Sequence, residues 1–228
     1  MKGFVIAIDG PVASGKGTIA ALLARKLNGF HFSTGLTYRA LAYFCLDNGI
    51  NTRDEKEVSK CADSPEIEIL NEKVFLNDKD ITKNIFATEI SQASSDIAIF
   101  SNVRNKLVQI QQKIIKNHIE KREVVVVDGR DIATKVWPNA ELKIFLTASL
   151  KVRAKRRLEQ LKNRGESKRL DEVLEDVKNR DLNDTERALD PLVKEPELHG
   201  YVIIDNSSQS ESQTLGKIES ILNKENLL

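Results

Sequence analysis

The stretch IAIDGPVASGKGTIAALL, residues 6–23, restricts the fold more than any other part of the chain. It runs a strand-like apolar segment into Gly-Pro and spends Gly10, Gly15 and Gly17 within eight positions. It then resumes at helical spacing. Glycine loses more backbone entropy on folding than other residues, so such a cluster marks a place where backbone must come close to something. Gly10, Gly15 and Lys16 fit the G-x-x-x-x-G-K form of a phosphate-binding loop, set between a strand and a helix as that motif requires. Inward-pointing backbone N–H groups, a helix N-terminus and the Lys16 ammonium together suit the triphosphate end of a nucleotide. The expected contacts are Gly10, Pro11, Val12, Ala13, Ser14, Gly15, Lys16, Gly17 and Thr18, with the glycines making room for phosphate. Gly17 stands directly after the lysine, where many such loops carry Ser or Thr. A direct hydroxyl ligand from Thr18 to Mg²⁺ is therefore weakened, and water is expected to carry more of the coordination. The plain alternative is a glycine-rich turn with a surface lysine.

A chain of 228 residues with 40% hydrophobic and 30% charged residues is long enough for one large domain, or one domain with an insertion. Five short apolar runs read as buried parallel strands: 4–9, 30–32, 124–128, 142–146 and 201–205. Helical patterns separate most of them, which indicates an α/β sheet covered on both faces. Between the second and third runs, EIEILNEKVFLNDKDIT alternates Ile67, Ile69, Val74 and Leu76 with turn residues, as a small inserted antiparallel meander would.

Helix patterns carry the next signals. In RLDEVLEDVKNRDLNDTERALDPL, Leu170, Val173, Leu174 and Val177 form a buried stripe. Carried on in phase, that stripe becomes Arg180, Asp184 and Arg187. Ionised groups in such positions are costly unless paired or facing a ligand cleft; an Arg180–Asp184 i,i+4 pair is the structural alternative. In SSDIAIFSNVRNKLVQIQQKII the apolar face is Ile97, Phe100, Val103, Leu107, Ile110 and Ile114, with Arg104 on its edge, where a snorkelling role competes with a functional one. VVVVDGRD places Asp128 at the carboxyl end of a buried strand, where it suits Mg²⁺ beside the phosphate loop, and presents Arg130 and Asp131 over the same edge. A buried Asp–Arg pair is the alternative. STGLTYRAL puts Thr34, Tyr38 and Arg39 at a helix start on that edge.

The arginines bear on the reaction class. Kinases acting on hydroxyls need a base, whereas a phosphate monoester is already anionic and needs cations to bring two polyanions together. Arg39, Arg130, Arg180 and Arg187, with Arg104 near them, favour a phosphate acceptor because guanidinium forks suit phosphate oxygens. The net charge is +1, but residues 151–169 hold nine basic residues against two acidic ones. Arg153, Arg156 and Arg157 share a helix face there, before the Gly-containing KNRGESK. This reads as a lid closing on the donor phosphates and excluding water, with a solvated basic helix or nucleic-acid patch as the alternative.

IDGPVASGKGT, STGLTYRALA, VVVDGRDIAT, KIFLTAS and RDLNDTERALDPL, in that order across nearly the whole chain, resemble bacterial cytidylate kinases. The resemblance implies one nucleoside monophosphate kinase domain over residues 1–228. Its fold would be a P-loop three-layer α/β/α with a five-stranded parallel sheet and a monophosphate-binding antiparallel insertion at 50–92. A helical lid would span about 151–190. It implies ATP as donor, CMP or dCMP as acceptor, and Mg²⁺ near Thr18 and Asp128. Thr34, Ser95, Arg104 and Asp131 would surround cytosine, with Tyr38 beside them. Arg39 and Arg130 would hold the monophosphate, and Arg180, Asp184 and Arg187 the ribose and phosphate. Arg153 and Arg157 would reach ATP, and the catalytic set would be Lys16, Arg130, Arg180 and Arg187. The chain departs from the family pattern at Ser33, Thr34, Ala133, Asn183 and Thr185.

AMP or UMP as acceptor, a hydroxyl kinase using Asp128 or Asp131 as base, and an RNA-binding module remain open on the residues alone. Cys45 and Cys61 form no Cys-x-x-Cys motif and read as reduced thiols, and three scattered histidines suggest no metal cluster. The first apolar run is too short for a signal peptide and is interrupted by Asp9. A cytoplasmic monomer, binding neither nucleic acid nor membrane, is expected.

Overall fold

Parallel pairing of the apolar runs builds the main sheet. The computed structural model describes residues 3–70 and 73–227. In chain order the elements are β1 (Phe4–Asp9), α1 (Lys16–Lys26), β2 (Phe30–Ser33), α2 (Gly35–Asp47), α3 (Glu55–Cys61), β3 (Ile67–Leu70), β4 (Lys73–Leu76), β5 (Lys79–Asp80), α4 (Thr88–Ile97), α5 (Ser101–Glu120), β6 (Val124–Gly129), β7 (Leu142–Thr147), α6 (Leu150–Lys162), α7 (Leu170–Glu186), β8 (Val202–Asp205) and α8 (Glu211–Lys224). The chain divides into two units, Met1–His31 with Glu123–Leu228, and Phe32–Arg122.

The five-stranded sheet has the order β2-β6-β1-β7-β8. β1 runs parallel to β6 and β7, and β7 runs parallel to β8. Every residue of β1 is buried, as a central strand covered on both faces requires. Phe4, Ile6 and Ile8 pack with Ile19 and Leu23 of α1 and with Ile218 and Leu222 of α8. The fifth run departs from its expected burial. Val202 and Ile203 are exposed because β8 is an edge strand, and Tyr201 precedes the strand instead of opening it.

The β1–β6 register positions the chemistry. Phe4 lies opposite Val124, and five residues on Asp9 lies opposite Gly129. Two loops therefore leave the sheet side by side: the glycine loop after Asp9, and the Arg130–Asp131 segment after Gly129. Parallel strands end together, so segments far apart in sequence meet at one edge.

In the second unit, β3, β4 and β5 form the antiparallel meander, with Ile67, Ile69, Val74 and Leu76 buried. Its first turn, Asn71–Glu72, lies outside the described residues. Asn77 and Asp78 both have positive φ, 47° and 65°, as the tight two-residue hairpin turn demands. Cys45 and Cys61 are free thiols with Sγ atoms 3.6 Å apart. The apolar stripe expected from residue 97 to 114 is interrupted, since α4 stops at Ile97 and α5 starts at Ser101. The buried face of α5 is Val103, Arg104, Leu107, Val108, Gln111 and Ile115. Arg104 thus sits in the middle of that face and is 1% exposed. Among the described residues, no helix is long and apolar enough to cross a membrane.

A Cβ on Gly10 would lie 2.1 Å from the Leu146 carbonyl oxygen, whereas one on Gly17 would meet nothing closer than 4.0 Å. Gly10→Ala should therefore cost about 1–3 kcal/mol or more through forced backbone displacement. Gly17→Ala should leave stability within about 0.5 kcal/mol. Urea unfolding of the two variants measures the contrast.

Candidate active site

The loop between β1 and α1 is held in its shape by conformation and by neighbours. Ala13 has φ 56° and Gly15 has φ 93°. The three glycines serve different ends. Gly10 is needed for close packing on β7, and Gly15 supplies the left-handed backbone ahead of α1. Gly17 faces the Asp128 carboxylate, 4.0 Å from where a Cβ would stand. Lys16 is 5% exposed, and its Nζ donates to the Pro11 carbonyl at 2.7 Å and to Ser14 Oγ at 3.4 Å. Burial, followed by the charge of Arg130, pushes the Lys16 ammonium well below its ordinary pKa, while Asp128, Asp184 and Asp9 pull the other way. A poorly solvated cation so placed favours an anionic ligand.

Two of the three arginines on α6 brace this loop. Arg153 donates from Nε to the Ala148 carbonyl at 2.9 Å. Its Nη1 donates to the Val12 carbonyl at 3.0 Å and to Asp181 Oδ2 at 2.5 Å. Asp181 Oδ1 in turn accepts the Val12 N–H at 3.0 Å, so one α6–α7 ion pair holds a single residue of the loop by both its N–H and its carbonyl. Arg156 donates to the Ser14 carbonyl and to Asn206 Oδ1, and the Asn206 side-chain amide donates to the same Ser14 carbonyl. Among the described residues, the Arg157 side chain is committed only to a long 3.5 Å bond to Gln160. Burial, then the charge of Arg164, lowers its pKa. Ala154, Leu161, Val173 and Val177 form the small core that joins α6 to α7.

The α7 stripe turns polar as its spacing requires, but the pairing differs from the i,i+4 alternative. Asp184 accepts from Arg130 Nε at 2.7 Å, across from the β6 loop. Burial alone would raise the Asp184 carboxyl; Arg130, Arg180 and Arg187 outweigh it and hold the group below its ordinary value. Among the described residues, the Arg180 side chain makes no hydrogen bond and no ion pair within 4 Å. Burial, then the charge of Arg130, lowers Arg180 to about 10. Arg187 lies just past the end of α7, in extended backbone. Its guanidinium donates to the Asp190 carbonyl and stands 3.9 Å from carboxylate oxygens of both Asp131 and Asp184.

In the second unit, α2 and its neighbours carry the other expected residues. Arg39 donates to the Ile85 carbonyl at 2.9 Å and to Ser91 Oγ at 2.8 Å, and stacks over Phe86. Arg104 donates to the Ala98 carbonyl at 3.1 Å, with its guanidinium 5.9 Å from the Tyr38 ring centroid. Thr34 precedes α2 and is buried, and Ser95 is half-buried on α4 with its hydroxyl on the Ser91 carbonyl. Tyr38, Arg39 and Arg104 therefore belong to one packed group. Asn183 is exposed, while Thr185 bonds back to the Asp181 carbonyl. Ala133 stands without positive φ where the family pattern has Gly, so its side chain brings no backbone strain.

Three features are not apparent from the sequence reading. A cavity of about 400 Å³ beside the glycine loop is lined by Gly15, Thr18, Arg156, Gln160, Asn206 and Gln209, among others. Asn206 follows the carboxyl end of β8, and the rule that ligands gather at that sheet edge is the signal that would have found it. His31 Nε2 is 2.8 Å from Asp128 Oδ1. Asp9, fully buried, accepts N–H bonds from Ile132 and Ala133 at 2.9 Å each and the Tyr201 hydroxyl at 2.7 Å. Among the described residues, no group of three His, Cys, Asp or Glu could hold a metal. With no such cluster, Asp128 beside the lysine and the glycine loop fits a magnesium ion carried mainly by phosphates and water instead of a protein cage.

Comparison with known proteins decides the family. The cytidylate kinase family model matches residues 6–224. The chain belongs to the cytidylate kinase family. The cytidylate kinase of Caldicellulosiruptor bescii is 40% identical over 98% of this chain and 97% of its own length. That of Alkaliphilus oremlandii is 41% identical over 97% of this chain and 99% of its own. A solved structure of an uncharacterized protein from Eubacterium ventriosum superposes with TM-score 0.55 at 18% identity, covering 98% of this chain and 99% of that one. It shares the fold. As a cytidylate kinase, this chain is a kinase, and the glycine loop and desolvated cations are what such an enzyme needs.

Asp9 provides a direct check on the electrostatics. Burial raises its carboxyl from 3.8 to about 6, against the downward pull of the Ala133 and Ile132 N–H groups and Tyr201. The folded state therefore binds this proton more tightly than the unfolded chain. This group's contribution to stability is full below about pH 4 and is lost as pH rises through 6, on the order of 3 kcal/mol. Carboxyl ¹³C shifts followed from pH 3 to 8 should give Asp9 a midpoint near 6.

Proposed function

We propose that the chain transfers the ATP γ-phosphoryl group to CMP and dCMP, giving ADP with CDP or dCDP. The carrying observation is Arg180. A desolvated guanidinium beside Arg130, whose neighbouring carboxylate Asp184 is already taken by Arg130, is poised for an anion. Membership of the cytidylate kinase family supplies the acceptor, and ATP is the donor.

The monophosphate oxygen is already ionised and attacks without a general base. The residues therefore act by position and charge. The loop N–H groups and Lys16 hold the β- and γ-phosphates. Lys16 exchanges the Pro11 carbonyl for phosphate and follows the transferred group. Arg130, Arg180 and Arg187 offset the charge that two polyanions would otherwise set against each other. Arg39 holds the CMP phosphate. Thr34, Ser95, Arg104 and Asp131, with Tyr38, read cytosine, whose amine suits a carboxylate acceptor and whose ring acceptors suit a guanidinium. The cavity bordered by Asn206 and Gln209 takes the adenosine of ATP. Mg²⁺ would be held by the nucleotide phosphates and, through water, by Asp128 and Thr18, and it supplies charge neutralisation.

The α6–α7 segment, about 151–190, acts as the lid, and 50–92 as the monophosphate-binding insertion. Arg157 reaches ATP, while Arg153 serves ATP through the loop peptide it clamps. The enzyme works as a cytoplasmic monomer. Three of the nine cations of the basic segment are paired with carboxylates: Arg153 with Asp181, Lys168 with Asp176 and Arg169 with Asp171.

Coupled-assay kinetics with CMP, dCMP, UMP and AMP test the assignment. CMP should be the best or near-best acceptor, with dCMP also used, and turnover of AMP or UMP well above CMP overturns it. Lys16→Ala should lower kcat by the equivalent of about 2–4 kcal/mol. Asp131→Ala should raise the KM for CMP far more than that for ATP. Equal effects of the two variants on ATP affinity would contradict these roles.

A further inference from the structure

Asp9 stands immediately before the glycine loop, yet its carboxylate is spent on the other loop. Oδ1 accepts the Ile132 N–H and Oδ2 the Ala133 N–H, each at 2.9 Å. These are the two peptide groups that directly follow Asp131, the residue assigned to cytosine. Tyr201 closes the set by donating its hydroxyl to Oδ2 at 2.7 Å. The phenol ring is itself fixed, edge-on to Phe145 with centroids 5.9 Å apart, and is 6% exposed. Asp9 is 0% exposed and Ile132 0%. No water reaches this carboxylate, so three donors must satisfy it, and each constrains it.

We infer that Tyr201 and Asp9 are positioning residues for acceptor recognition: they pin the backbone after Asp131 so that Arg130 and Asp131 present their side chains to CMP. Neither touches substrate. Asp9 acts through the peptide groups of Ile132 and Ala133, and Tyr201 acts through Asp9. The charged groups around Asp9 are Asp131, whose repulsion disfavours its ionised form, and Lys16, which Asp9 attracts. The tyrosine hydroxyl stabilises the ionised acceptor against burial. Without it, each oxygen keeps a single N–H partner, the carboxylate is held less firmly, and the 131–133 backbone loosens. The consequence falls on the acceptor because the glycine loop has its own clamps, Arg153 with Asp181 and Arg156 with Asn206. The inference rests on the reading of Arg130 and Asp131 as CMP-binding residues.

Tyr201→Phe in the full chain removes the hydroxyl while keeping the ring against Phe145. It should raise the KM for CMP three- to tenfold and leave kcat and the KM for ATP within twofold. Amide hydrogen exchange at Ile132 and Ala133 should quicken at least tenfold, with β1 and β6 amides unchanged. Asp9→Asn, which turns an amide N–H toward an N–H donor, should produce the same acceptor-selective defect. Asp131→Ala serves as the reference. If it raises the KM for CMP while Tyr201→Phe does not, the positioning role is refuted and the cytosine assignment stands. If Asp131→Ala leaves that KM unchanged, the assignment falls and the inference falls with it. Equal rises in both Michaelis constants, or unchanged exchange at Ile132 and Ala133, also overturn it, since they would mark a general structural role.

Discussion

Gathering like charges in a place with little water is the constraint on which the site depends. The charge of Arg130 lowers the pKa of both Lys16 and Arg180, and burial acts against all three. In a bare protein this arrangement is expensive. It is tolerated because Asp184 bonds directly to Arg130, and Asp128 adds a second negative charge near Lys16. The compensation is incomplete by design of the geometry: Arg180 is left with no carboxylate of its own. A cluster balanced to near neutrality would hold itself together and have little use for phosphate.

Rigidity around this charge comes from backbone contacts instead of from the charges. The Leu146 carbonyl leaves no room for a side chain at position 10, which fixes where the glycine loop departs from β1. Arg153 and Asp181 grip the carbonyl and the N–H of Val12, tying the loop to the α6–α7 hairpin. Asp9 ties the base of the same loop to the segment after Asp131. The glycine loop and the segment after Asp131 thus share one buried carboxylate, so the two loops keep a common frame even though the sequence separates them by more than a hundred residues.

Much of this is legible in the linear chain, for identifiable reasons. β-branched apolar runs announce strands because the pleated sheet rewards them locally, and the observed strands differ from those readings by a residue or so at their ends. The glycine loop is legible because its chemistry is contained in nine consecutive residues. The polar continuation of the Val173–Val177 stripe is legible because helical phase is a local property. Arg104 is misplaced by the same kind of reading: the break between α4 and α5 resets the phase, and the buried face of α5 is centred one position away.

Local sequence therefore determined the elements, the phosphate loop and the presence of excess arginine, since each follows from neighbours within a few turns of chain. Tertiary structure alone decided how those pieces were used. It turned Arg153 inward as a brace and assigned Asp184 to Arg130 over the nearer Arg180. It also made Gly10 a packing requirement and set Tyr201 on Asp9, 192 residues away. Those outcomes depend on strand register and helix docking, which bring distant groups within 3 Å, and no periodicity in the chain encodes which of several possible partners a buried charge will meet.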